Sequence, residues 1–337
     1  MKKKTTIYDV AEEADVSLAT VSRVINGSNV VKKATRDRVL EAIKRLDFKP
    51  NQVARGLATS KSTTIAVVFP QSIFARVKDM IGGIGDTGRT LDYSLTMYTT
   101  DELGDSNPLE DVIERVVKSR ADGVILFNSQ DIEKGLELTK QYNLPTAVLG
   151  QKTSDDNVCS VYVDAKAIGY DLAKNYLDKG IDDILFVKAR QNLIDLNSLH
   201  EGIKEAFVEA GKTFEDDRVI TTSNEFEQAH NDFANYLDSH QTPRVVIAGY
   251  DKEAVAFVQA CDDKGVHIPD DLEIIGMVDS TYAIISRPKL TSVHLPIYDM
   301  GAVAVRMITK MLNEEEIDER AVCMKHTVVK RDSTKLL

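Results

Sequence analysis

Two rhythms of apolar and polar residues divide the chain near residue 63. Before it, apolar residues recur at helical spacing. In TTIYDVAEEA, Ile7, Val10, Ala11 and Ala14 fall on one face, and Thr5 or Thr6 is placed to cap the segment. After a break at Asp15 and Val16, Ser17 is a good N-cap for LATVSRVING, whose Val21, Val24 and Ile25 face inward and which Asn26 and Gly27 close. A third segment, ATRDRVLEAIKRLDF, carries Val39, Ile43 and Leu46 on its apolar side. Two short helices joined by a tight turn and backed by a third predict a helix-turn-helix.

From Thr63 onward the rhythm changes to nearly continuous apolar runs separated by amphipathic stretches. The runs are TIAVVFP (64–70), YSLTMYT (93–99), GVILFN (123–128), PTAVLG (145–150), SVYVD (160–164), DILFVKA (183–189), RVVIAGY (244–250), LEIIGMV (272–278) and TSVHL (291–295). Strands of this kind alternating with helices predict an α/β body of doubly wound parallel sheets. About ten strands are too many for one sheet of ordinary size. Two lobes, meeting near residue 161 and again near 291, accommodate them, with a ligand cleft at the strand ends.

Length and composition narrow the class. The 337 residues are 43% hydrophobic and 28% charged, the profile of a soluble globular protein with two or three folding units. No apolar run reaches the ~20 residues that span a bilayer, and MKKKTT leads into an amphipathic segment without a signal-peptide core, so a cytoplasmic protein is expected. Cys159, Cys261 and Cys323 are widely spaced and odd in number, which predicts reduced, packed thiols. The net charge of −11 hides an asymmetry: residues 1–61 hold thirteen Lys and Arg against seven Asp and Glu, and the remainder holds 29 against 46. A basic head on an acidic body points to a polyanionic partner, nucleic acid or membrane, for the head.

Enzymatic signatures are missing. The six histidines show no metal-ligand spacing, no GxSxG elbow or P-loop occurs, and neither a metal nor a cofactor is expected. Gly83, Gly85 and Gly88 spell a literal GxGxxG, but that fingerprint must follow a strand directly, and here a helix-like segment intervenes. The glycines are better read as loosening the first helix of the body.

In a helix-turn-helix the second helix enters the major groove with its N-terminal residues at base edges. Leu18, Ala19 and Arg23 then face the bases, Arg23 being able to contact guanine bidentately, while Thr20 and Ser22 suit phosphate oxygens. A plain three-helix bundle with Arg23 on a solvated face is the alternative. TIYDVAEEADVSLATVSRVINGS resembles the DNA-binding head of the LacI/GalR family of bacterial repressors, including its S-x-A-T-V-S-R-V-x-N-G recognition helix. The resemblance adds Thr6, Tyr8, Ser17 and Asn26 to the expected DNA contacts. In KPNQVARGLATSKSTTIAVV, Asn51, Val53, Ala54 and Leu57 occupy the positions of the family's hinge helix. That implies paired hinge helices from two subunits in the minor groove, with Asn51 and Ala54 in contact and Leu57 wedged into a base step. The likeness extends to the chain's end and implies a homodimer with a periplasmic-binding-protein-like body. The expected units are a head at 1–50, a hinge at 51–62, a first lobe at 63–161 plus 291–323, and a second at 162–290 plus 324–337.

The last third, DLEIIG…SRPKLTSVHLPIYDMGAVAVRMITKML, is similar to the catabolite-control subgroup of that family. The subgroup answers to a protein corepressor, the phosphocarrier HPr phosphorylated on a serine, and the likeness carries that role to Tyr298, Asp299, Arg306 and Lys310. Arg306 and Lys310, four apart, can converge on one phosphate. A solvated, salt-bridged helix face is the alternative. Asp251 matches a family acid of the cleft, and Gln71 and Asp279 complete an expected effector set. Gln71 replaces a common aspartate, Asp279 is displaced by one position, and Leu199 stands where many sugar-responsive members have arginine. In the first body helix Arg76 and Val77 replace aromatic residues, and Gly82 and Gly85 replace charged ones. The expectation is a non-enzymatic transcription regulator of carbon catabolite control that binds a pseudo-palindromic operator and is enhanced by the phosphorylated corepressor. A repressor answering to a sugar or sugar phosphate in the cleft is the alternative.

Overall fold

The computed structural model describes residues 5–25, 30–48, 62–100, 108–127, 132–153, 155, 157–189 and 194–337. It divides into two compact units, 1–63 and 64–337. Asn26 and the hinge residues Asn51, Val53, Ala54 and Leu57 lie outside the described residues.

The head consists of α1 (Ile7–Glu13), α2 (Leu18–Ile25) and α3 (Lys33–Arg45). Thr6, not Thr5, caps α1, in a capping box: its side chain accepts from the Asp9 N–H, and Asp9 accepts from the Thr6 N–H at 2.6 Å. Thr5 donates instead to the Leu46 carbonyl at 3.2 Å, tying the start of the head to the end of α3. The turn after α1 is a Schellman closure without glycine. Val16 N–H returns to the Ala11 carbonyl at 3.1 Å and Asp15 N–H to Glu12 at 3.2 Å, with Asp15 at φ 48°. Asp is among the few residues that tolerate this left-handed conformation. Val10, Val21 and Val39, one from each helix, are fully buried at the centre of the small core.

The body carries twelve strands in two six-stranded sheets among the described residues. In the first lobe β1 (Thr64–Pro70), α4 (Lys78–Thr90), β2 (Ser94–Thr100), α5 (Pro108–Lys118), β3 (Gly123–Phe127), α6 (Ile132–Gln141), β4 (Thr146–Leu149) and β5 (Cys159–Val163) follow in turn. The second lobe runs α7 (Ala165–Leu177), β6 (Ile184–Ala189), α8 (Leu196–Glu209), β7 (Val219–Thr222), α9 (Phe226–Ser239), β8 (Val245–Ala248), α10 (Asp251–Asp263), β9 (Glu273–Val278), α11 (Thr281–Ile285) and β10 (Thr291–His294). The chain then returns: α12 (Ile297–Leu312) packs on β3, β4 and β5, and β11 (Ala321–Met324) pairs with β5, before β12 (Thr327–Val329) joins the second sheet. The sheet orders are β11-β5-β4-β3-β1-β2 and β12-β10-β9-β8-β6-β7. Every pairing is parallel except β10 with β12.

Two expectations change. Thr291–His294 pairs with β9 in the second sheet, so the return crossing falls after residue 294 rather than at 291; β5, likewise, holds the first sheet through Val163 rather than 161. Cys159 and Cys261 are buried as expected, but Cys323, on the outermost strand of the first sheet, is exposed.

The glycines of the GxGxxG string lie inside α4, not in a phosphate-facing loop. A Cβ on Gly83 would run into the Tyr298 backbone carbonyl of α12, and one on Gly301 into the Met80 carbonyl of α4. The two helices therefore cross backbone to backbone. Gly169 and Gly202 make the same crossing between α7 and α8 of the second lobe. The largest apolar cluster is continuous through both lobes, joining Ile65, Met80 and Ile308 to Phe186 and Val293.

Candidate nucleic-acid interface and control surfaces

Helix α2 buries Val21 and Val24 and turns its other face to solvent. Ser17 caps it, accepting from the Thr20 N–H at 3.2 Å and sharing a 2.9 Å hydrogen bond with the Thr20 hydroxyl. Leu18, Ala19 and Arg23 are exposed, and Arg23 has no ion-pair partner among the described residues. Thr6 is exposed, as is Tyr8 at 68%, while Thr20 and Ser22 are half-buried. Arg45 fixes the frame behind them by pairing with Glu13 of α1 at 2.6 Å and Glu41 at 3.4 Å. A rigid helix thus presents a guanidinium, small side chains and an N-terminus whose N–H groups favour phosphate.

The expected effector acids are not open. Asp251 is fully buried; its carboxylate accepts from the Ser292 hydroxyl and the Ser280 N–H, both at 2.6 Å. Burial pushes its carboxyl up to about 6, against those hydrogen bonds, which pull it down. Asp279 pairs with Arg331 at 2.6 Å and His294 at 3.4 Å, and its N–H donates to the same Ser292 hydroxyl at 3.0 Å. Val278 and Asp279 sit at φ 95° and 60°, a strained corner for a β-branched residue. Gln71 is exposed in a short 3-10 turn after β1, and Leu199 is a core residue of α8 rather than a cleft residue. Asp251 and Asp279 thus meet through Ser292, at the start of the lobe crossing, with their carboxylates consumed by the protein.

A different group spans the two lobes. Arg76, between the 3-10 turn and α4, donates from Nη2 to Glu253 Oε1 in the first turn of α10. Its guanidinium carbon stands 4.4 Å above the Tyr250 ring. Arg76 is 4% exposed and Glu253 1%. Burial pushes the Glu253 carboxyl upward, with the Arg76 guanidinium drawing it back. The sequence marked Arg76 only as a departure from an aromatic residue. The available signal was its place among Ile73, Val77 and Met80, an apolar stripe that turns inward.

On α12, Tyr298, Asp299 and Arg306 are exposed. The Tyr298 hydroxyl donates to Asp86 Oδ2 of α4 at 2.8 Å, and Arg89 holds the other Asp86 oxygen at 2.8 Å. Lys310 is half-buried and donates to the Glu316 carbonyl at 3.3 Å, so of the two cations expected to converge on a phosphate only Arg306 stands without a partner among the described residues. Gly82 and Gly85 leave the neighbouring stretch of α4 without side chains.

A helix-turn-helix head on a two-lobed doubly wound body defines a DNA-binding regulator with a control domain. Residues 6–51 match the model of bacterial regulatory proteins, lacI family, and residues 173–334 that of a periplasmic binding protein-like domain. Catabolite control protein A of Streptococcus mutans is 36% identical over 332 residues, 98% of each chain. The transcription regulator CcpA of Lactococcus lactis superposes with a TM-score of 0.71 at 27% identity, over 81% of this chain and 99% of that one. The lac repressor dimer bound to operator and the anti-inducer ONPF gives 0.85 at 19% identity, over 98% and 99%, a likeness of fold. The chain belongs to the LacI family of bacterial regulatory proteins and is a DNA-binding transcription regulator similar to catabolite control protein A. These relatives are regulators, not enzymes. Among the described residues no helix is long and apolar enough to cross a membrane, and no group of His, Cys, Asp and Glu could hold a metal ion.

Proposed function

We propose that the protein is a cytoplasmic homodimer that binds a pseudo-palindromic operator in carbon catabolite control and is tightened on it by serine-phosphorylated HPr docking on the α4–α12 face. Two heads read half-sites about one DNA turn apart, and the hinge segments meet at the centre. Arg23 reads a base, the end of α2 grips phosphate, and the acidic body keeps DNA contact to the head, so affinity falls steeply with salt. The observation that carries the control mode is the exposed face of α12, which bears Tyr298, Asp299 and Arg306, the last without a partner among the described residues, while the acids of the interlobe region are occupied by the protein itself. Arg306 takes the phosphate, Asp299 a basic group of the partner, and Tyr298 packs against it; Lys310 adds charge once it leaves the Glu316 carbonyl.

Fluorescence anisotropy of a labelled palindromic duplex with a central CpG step, at fixed salt, tests this reading. Affinity should rise only with the phosphorylated form of HPr, and Arg306→Ala should abolish that rise while leaving basal binding intact. Specific binding that ignores the phosphorylated partner returns the search to a small-molecule effector.

A further inference from the structure

In doubly wound sheets, ligands bind at the carboxyl ends of the strands. Arg76 follows the carboxyl end of β1 in the first lobe, and Tyr250 and Glu253 follow that of β8 in the second, so the guanidinium lies where a ligand between the lobes would lie. It is received as a bound cation is: a carboxylate accepts from it and an aromatic face stacks under it. Tyr250 is itself backed edge-on by Tyr282 at 6.5 Å.

We propose that Arg76 is a tethered occupant of the interlobe cleft, an internal latch that holds the lobes together in place of a small molecule. The inference does not depend on which partner docks on α12. Half of the fork is unused: Arg76 Nη1 and Glu253 Oε2 are buried without a hydrogen-bond partner among the described residues. A bidentate pair would satisfy both atoms; this one holds by one charged hydrogen bond and one stacked ring, and the two unpaired atoms lower the cost of parting. The latch therefore closes the lobes without fixing them irreversibly.

The test uses the full-length protein with Cys323→Ser and spin labels at Lys134→Cys on α6 and Asn235→Cys on α9, one exposed site in each lobe. Labelled chain is diluted into unlabelled chain so that only distances within one copy are read by pulsed electron resonance. The unmodified pair should give one narrow distance. Arg76→Ala should lengthen and broaden it, and methylguanidinium, which fits the space left, should restore it. An Arg76→Ala distance equal to the parent overturns the latch. So does a lengthened distance that methylguanidinium leaves unchanged, because Arg76 would then act only as packing. Should Arg76→Ala not fold, Glu253→Gln keeps the volume and weakens the charge. A broadened distance there supports the latch, and an unchanged one overturns it.

Discussion

The recognition helix and the seam between the lobes handle polar side chains in opposite ways. On α2, Arg23 is exposed and unpaired among the described residues, as a group must be if it is to bind something outside the chain. At the seam, Arg76, Glu253, Asp251 and Asp279 are sequestered, each answered by another residue of the same chain. The same residue type, arginine, is left open to solvent in one place and held as a bound group in the other. Its neighbours decide: Arg23 projects from the side of α2 opposite Val21 and Val24, whereas Arg76 belongs to an apolar stripe.

The sharpest way to break the contrast is at the seam. Glu253→Ala leaves a buried guanidinium unpaired, and thermal or urea unfolding should show a loss of about 3–5 kcal/mol. Next is Asp251, whose carboxyl is raised to about 6 in the folded state. A raised acid binds its proton more tightly when folded, so its stabilising contribution is complete below the ordinary carboxylate value of ~4 and is lost as pH climbs through about 6. The stability of the parent minus that of Asp251→Asn should therefore fall by up to ~3 kcal/mol across this window and then level off. A difference that rises with pH contradicts the assigned direction.

The head answers differently. Arg23→Ala should lower discrimination between operator and random duplex by about 1–3 kcal/mol with the melting temperature little changed; equal losses on both duplexes argue that Arg23 contacts only phosphate. Smallest of all, Arg306→Ala removes an exposed side chain and should alter unfolding free energy by no more than ~0.5 kcal/mol, so that any effect on operator binding is read without a folding contribution.

The head was legible because its information is local: Thr6, Ser17, the turn at Asp15 and three apolar faces lie within a few residues of what they specify. The nine long apolar runs all became strands. VITT, AVCM and TVV did not stand out, since β7, β11 and β12 are three or four residues long, lie at the outer positions of the sheets and carry polar or half-exposed side chains. The seam was harder still. Arg76 and Glu253 are 177 positions apart, and Asp251 reads identically whether its carboxylate faces a ligand or Ser292. Periodicity shows that a residue points inward, not what meets it there.

The return of the chain to its first lobe after residue 294 has a consequence for biosynthesis. Strand β5 ends at Val163, but the helix that covers the first sheet and the strand that borders it are encoded at 297–312 and 321–324. At ~5–20 residues per second the ribosome needs roughly 8–30 s to supply the missing pieces. During that interval β3, β4 and β5 lack the cover of α12, and the face bearing Arg306 does not exist. A ribosome that stalls inside the second lobe leaves a chain with the head already made but without α12 and β11. Such a fragment keeps an uncovered apolar sheet, the feature by which chaperones and proteases distinguish it from the finished regulator.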